Sequence, residues 1–162
     1  MVAMQNTVEI RPANETQLIE VLYLIRECAE QLALKGVKSW HNTHSDSSLI
    51  SDDIKKKHIF LAYLRMVPIG TITVKACDNM KEAALIDRLA IFPYFQNRGY
   101  AKELIVFAEE SARKNNFKKI CATVPFDDKS LLKLFESNGF INMGYAPVGD
   151  DEMVQVSFEK EL

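Results

Sequence analysis

Cysteine is scarce in this 162-residue chain. Cys28, Cys77 and Cys121 stand far apart with no paired spacing, which argues against a disulfide framework or a zinc ribbon and fits reduced thiols in a cytoplasm. Long apolar runs are missing as well. No stretch approaches the roughly 18 apolar residues of a membrane helix, and the opening MVAMQNTVEI lacks a charged region followed by an apolar one, so neither a membrane partner nor a secretion signal is expected. Neither sign of charge prevails: 20 basic side chains face 22 acidic ones, a balance with no field to draw a polyanion, and nucleic acid is not an expected partner. Repeats, low-complexity tracts and Pro/Ser-rich linkers are absent too, so residues 1–162 read as one domain whose first six residues are loose. The remainder, 48% apolar and 26% charged, suffices for a packed core without metal or disulfide.

The pattern along the chain alternates between strand and helix periods. Thr7 to Arg11 alternates as a strand, and Asn14 followed by Gln17 reads as a capping box. Leu18, Leu22, Ile25, Ala29 and Leu32 then share one face of a long helix that Gly36 ends. A short helix is expected over residues 47–57. Two strands, 59–64 and 69–74, form a hairpin through a turn at Arg65 to Pro68, and a third strand runs from Ala83 to Ile91, ended by Pro93. A helix over 101–115, a strand over 119–124 and a short helix over 130–137 follow, the last closed by Asn138-Gly139. Ile141 to Tyr145 and Met153 to Phe158 make a closing hairpin whose exposed edge offers a route to a homodimer.

One segment carries chemistry. Gln96-Asn97-Arg98-Gly99-Tyr100-Ala101 lies between a strand and a helix, where small residues let backbone approach a ligand and the first amides of the helix can hold a phosphate. It is neither a P-loop nor a dinucleotide fingerprint, since both spacings are absent. A plain strand-to-helix turn with one glycine is the competing reading.

Q-N-R-G-Y-A resembles the [RQ]-x-x-G-x-[GA] pyrophosphate loop of the GNAT superfamily of acyl-CoA-dependent N-acyltransferases. Leu85 to Ile91 looks like that family's fourth strand, and Leu134-Phe135-Glu136-Ser137-Asn138-Gly139-Phe140 is similar to its L-Y-E-x-x-G-F ending. The resemblance spans Thr7 to Leu162. It implies an α/β (α+β) fold: a mixed, mostly antiparallel central sheet flanked by helices, with a V-shaped splay between strands 4 and 5. It also implies acetyl-CoA as co-substrate, held by backbone of Leu89, Ala90 and Ile91 along the pantetheine arm and by Gln96, Asn97, Arg98, Gly99, Tyr100 and Ala101 at the pyrophosphate. Lys102, Lys129 and Lys133 are within expectation for the ribose phosphate or are plain surface lysines. Asp128 stands where the family often has Asn, and Phe135 where it has the tyrosine that protonates the leaving thiolate.

Acetyl transfer to an amine needs a neutral amine, a stabilised oxyanion and a proton for the departing thiolate. Asp87 is the one carboxylate in the fourth strand and is the candidate base, with half of an ion pair as the alternative; some relatives carry the acid two residues earlier, where this chain has Leu85. Strand alternation puts residues 85, 87 and 89 on one face, about 6.6 Å per two residues. Tyr145 is the candidate acid in place of Phe135, with Tyr100 or water as alternatives. Trp40 and His41, after the first helix, are candidates for the acceptor pocket, although a lone tryptophan also suits a core. His41 and His44 show no third ligand, so no metal is expected. The expected activity is N-acetyltransfer to a primary amine of a small molecule or peptide in a ternary complex; the competing class is a catalytically silent acyl-CoA-binding module.

Overall fold

The computed structural model describes residues 8–36, 46–146 and 154–162. Seven strands form one sheet in the order β1-β2-β3-β4-β5-β7-β6. They are β1 (Glu9–Pro12), β2 (Ile59–Leu64), β3 (Val67–Ala76), β4 (Ala83–Ile91), β5 (Lys119–Pro125), β6 (Ile141–Ala146) and β7 (Gln155–Glu161). Among the described residues four α-helices flank it: α1 (Leu18–Leu34), α2 (Ser47–Lys55), α3 (Tyr100–Lys114) and α4 (Lys129–Ser137). All neighbouring pairs are antiparallel except β4 and β5, so the expected mixed, mostly antiparallel architecture is present.

Local chemistry explains the element ends. Asn14 accepts from the Thr16 N–H while Gln17 accepts from the Asn14 N–H at 3.0 Å, the reciprocal box that launches α1. Asp46 caps α2 and Asp128 caps α4 through side-chain oxygens. Gly139 follows α4 with φ of +86°, as its Asn-Gly sequence foretold. The β2–β3 turn is tighter than expected, because Arg65 takes φ of +59° and β3 already begins at Val67. β7 runs on to Glu161, its whole length paired with β5; the expected start of that strand at Met153, like the first six residues, lies outside the described residues.

Two cores sandwich the sheet. Val21, Leu24 and Ile25 of α1 and Ile50 and Ile54 of α2 pack on Ile59 and Leu61. On the other face Leu104, Ile105 and Ala108 of α3, with Phe135 of α4, pack on Ile72, Ile86, Leu89, Ile91 and Phe158.

β4 positions the site. Thr73 stands opposite Asp87 and Thr71 opposite Ala90, so three steps along β4 match two along β3: a bulge. Arg88 sits in it with φ of +48°. Counting across the register, Leu85, Asp87 and Ala90 share a face with Lys75, Thr73 and Thr71, whereas Leu89 joins Ile86 and Ile91 on the other. The expectation that 85, 87 and 89 share a face therefore fails at 89, because the extra residue inverts the alternation. The β4–β5 ladder ends at Ile86↔Ala122, and the two strands part beyond it. Gly70 allows β3 to stay close to the bulged half: a Cβ there would lie 2.6 Å from Ile91 Cδ1 and 2.9 Å from the Ala90 carbonyl oxygen.

Candidate active site

Beside the half of β4 that has parted from β5 lies a cleft of about 580 Å³. Leu89, Ala90 and Ile91 form one wall, the loop Gln96 to Lys102 the floor, and the end of α1 and the start of α4 the remaining sides. Among the described residues no strand meets the edge of β4 on the β5 side beyond Ile86, so its backbone there can face an extended ligand.

The floor is built to receive an anion. Asn97 and Gly99 take φ of +63° and +87°, which turns the chain sharply into α3. Gly99 caps α3 without any side-chain oxygen, and the first helical bond runs from the Glu103 N–H to the Gly99 carbonyl at 3.2 Å. The amides of Tyr100, Ala101 and Lys102 precede that bond, where a helix carries unsatisfied donors and positive dipole. A Cβ at Gly99 would meet nothing within 4 Å, so the space above the loop is open. Gln96 braces the loop, its amide donating to the Ile91 carbonyl at 2.9 Å. Arg98 lies over the Tyr94 ring at 5.3 Å, and Tyr94 is exposed.

Sequence reading missed the α1 wall. Cys28, Leu32 and Lys35 line the cleft; the helix was legible from its apolar spacing, but that this end of it faces the loop was not. The Cys28 thiol donates to the Ile91 carbonyl at 3.3 Å, and burial, helped by the Glu27 charge, pushes its pKa up to about 12. Asp128 is buried at the mouth of α4, where it accepts from the Leu131 N–H at 3.2 Å. Burial raises its pKa, the Asp127 charge adds to this, and the Leu131 amide and Lys35 oppose it.

Where β4 and β5 part, a small gap is lined by Asp87, Leu89, Thr123, Leu131 and Phe135. Leu89 and Leu131 belong to both the gap and the cleft. Asp87 also lines a charged pocket of about 400 Å³ that includes Asp53, His58, Lys75 and Arg88. Its carboxylate accepts from the Arg88 N–H at 2.9 Å. Asp87 thus stands at the junction between the gap and the charged pocket.

The other expected residues fall in different places. Phe135 is buried, stacked on Phe158 and edge-on to Phe140, with one side toward the gap. Tyr100 is buried in the floor. Lys102 and Lys129 line the cleft and Lys133 does not. Tyr145 is 76% exposed on the edge strand β6 and lines neither the cleft nor the gap, so the structure does not bring it to Asp87. Trp40, His41 and His44 lie outside the described residues. Among the described residues no group of His, Cys, Asp and Glu is placed to hold a metal, and no helix is long and apolar enough to cross a membrane.

The fold recurs widely among solved structures. The PaiA N-acetyltransferase of Thermoplasma acidophilum, solved in complex with coenzyme A, is 18% identical with a TM-score of 0.79, over 96% of this chain and 99% of that one. The GCN5-related N-acetyltransferase of Rhodopseudomonas palustris is 17% identical with a TM-score of 0.81, over 100% of both chains. YncA of Salmonella typhimurium, solved with acetyl-CoA, is 15% identical with a TM-score of 0.73, over 97% of this chain and 95% of its own. Among curated proteins no match is found. The family model described as "Acetyltransferase (GNAT) family" matches residues 20–140, which include the cleft wall, the loop and the bulged strand. By that match the chain belongs to the GNAT family of acetyltransferases.

Proposed function

We propose that the protein transfers an acetyl group from acetyl-CoA to a primary amine of a small molecule or peptide by direct attack in a ternary complex. The observation that carries this reading is the continuity of the cleft: an unpaired β4 edge leads from the strand gap to the uncapped start of α3. Two amides of a pantetheine arm suit the first, and a pyrophosphate suits the second. Lys102 and Lys129, at the rim, suit the ribose phosphate. The Ile91 carbonyl already accepts from Gln96 and Cys28, and Phe92, whose N–H donates to the Ile69 carbonyl, faces β3 together with Ala90, so the arm is left chiefly the backbone of Leu89 and the Ile91 N–H.

Asp87 takes the proton. The amine nitrogen attacks the thioester carbon as its proton passes to the Asp87 carboxylate, directly or through water, and the carbon–sulfur bond then breaks. A thiol of pKa about 8.5 leaves well without a strong acid, which suits a site with Phe135 in place of tyrosine and with Tyr145 elsewhere; water protonates the thiolate. A covalent route through cysteine is disfavoured, because the Cys28 thiol is buried, donates to a carbonyl and has its pKa pushed up to about 12. Trp40 and His41 remain our candidates for the acceptor side.

The test is release of free thiol from acetyl-CoA over a panel of polyamines, amino acids, aminoglycosides and peptide N-termini. Amine-dependent release supports the proposal. Calorimetric binding of acetyl-CoA with no release by any amine would leave a silent binding module, which the absence of a phenol at Phe135 favours.

A further inference from the structure

The pocket on the α2 side of the sheet contains a buried charge cluster that acetyl transfer, as derived above, does not use. At its centre Asp53, 6% exposed near the end of α2, receives three basic groups: Arg88 Nη1 at 2.6 Å, Lys75 Nζ at 3.3 Å and His58 Nδ1 at 3.4 Å. Arg88 Nη1 also donates to Thr73 Oγ1 at 3.2 Å. Arg88 itself is 5% exposed and occupies the left-handed region at φ of +48°, where a residue with a long side chain is rarely stable unless its surroundings force it.

The clamp sits at the point where the site begins. The bulge that Arg88 occupies is the place where β4 inverts its alternation, directly after the last rung to β5 at Ile86↔Ala122. On one side of Arg88 its N–H holds the Asp87 carboxylate; on the other lies Leu89, the first residue of the cleft wall. A guanidinium pulled toward α2 and β3 therefore fixes both the carboxylate and the start of the edge. We infer that Asp53 is a positioning residue for acetyl transfer: acting through Arg88 it holds the β4 bulge, and with it the Asp87 carboxylate and the Leu89–Ile91 edge. The part concerning Asp87 rests on its proposed role as base; the part concerning the edge does not.

An ion pair that merely stabilises the fold would move the melting temperature alone, whereas a positioning pair also changes binding and rate. Asp53→Asn keeps the side chain's size and removes its charge. It is expected to weaken acetyl-CoA binding by about fivefold in calorimetry and to lower kcat about tenfold with the fastest amine of the panel. In an Asp87→Asn background the same change should lower kcat by less than about twofold further, because the group it positions is gone, while the loss of affinity persists. Wild-type affinity and kcat in folded Asp53→Asn, measured well below its melting temperature, would overturn the inference, as would full multiplication of the two effects on kcat. Near-normal turnover in Asp87→Asn alone would remove the base assignment, and the affinity of Asp53→Asn would then decide whether the clamp holds the edge. If Asp53→Asn does not fold, Thr73→Val, which deletes the more distant of the acceptors of Arg88 Nη1 and keeps the ion pair, should show the same pattern at smaller size; wild-type kcat and affinity there would count against the clamp.

Discussion

From Ala83 to Ile86, β4 has strands on both edges and alternates regularly, while from Leu89 to Ile91 only β3 accompanies it and the alternation has been inverted by Arg88. The first half is ordinary central sheet. Its Ala83, Ala84 and Ile86 are buried, with Ile86 packed in the α3 core. The second half gives up a ladder and spends a strained residue, and in return leaves backbone open beside a helix start. The same nine-residue strand thus supplies paired sheet at one end and an open edge, in our proposal the binding edge, at the other, and substitutions in the two halves should separate these properties.

The largest expected effect is at the junction. Asp87→Asn should keep the fold and acetyl-CoA affinity and lower the rate by roughly 10²–10⁴ at neutral pH, read as thiol release. In the paired half, Ile86→Ala should cost about 2–5 kcal/mol of stability in denaturant unfolding while the folded fraction still binds acetyl-CoA normally. That pattern is the converse of Asp87→Asn. Gly99→Val should reduce acetyl-CoA affinity at least about tenfold: the Cβ has room, but φ of +87° is hostile to a β-branched residue, and the loop would have to turn its amides away. Calorimetry on the folded variant checks it.

The smallest effect concerns charge. Asp128→Asn retains a good N-cap and removes a carboxylate whose folded pKa is raised, chiefly by burial. A raised carboxylate pKa contributes stability at acid pH that is lost as pH rises through the folded value. The variant should therefore melt slightly higher than wild type at pH 7, with the difference vanishing toward pH values below the ordinary carboxylate range. Asp53 has the opposite sign: burial raises its pKa, yet the Arg88 hydrogen bond and the charges of Lys75 and Arg88 outweigh this and hold it low. Its stabilisation is present above the ordinary carboxylate pKa and is lost as pH falls through the lowered one.

Elements whose signals are local could be read from the chain alone. The Asn14–Gln17 box, the bounds of β2 and β4, and the Gly139 cap all follow from neighbours in sequence, and the Gln96–Ala101 loop carries a spacing of its own. What escaped depends on distant partners. Arg88 gives no sequence sign of a positive φ, because the partner of its guanidinium, Asp53, lies thirty-five residues earlier, and with it went the side on which Leu89 lies. Leu32 read as part of a helix face and turned out to line the cleft, beside Cys28 and Lys35. Tyr145 was a plausible donor by chemistry, yet the β7–β6 order puts it on the edge strand. Asp53 did leave a trace: it interrupts the apolar face of α2 between Ile50 and Ile54, a buried position for a charge that demands partners.

The central claim is that Asp87, at the junction between the two halves of β4, serves as a base to an amine beside the thioester. Rate against pH for wild type and Asp87→Asn, with the same amine and saturating acetyl-CoA, tests it most directly. The account predicts a gap of roughly 10²–10⁴ at pH 7 that narrows toward alkaline pH, where the amine is neutral without help. A variant with near-normal turnover at pH 7, or a gap that stays constant as the amine deprotonates, would contradict it.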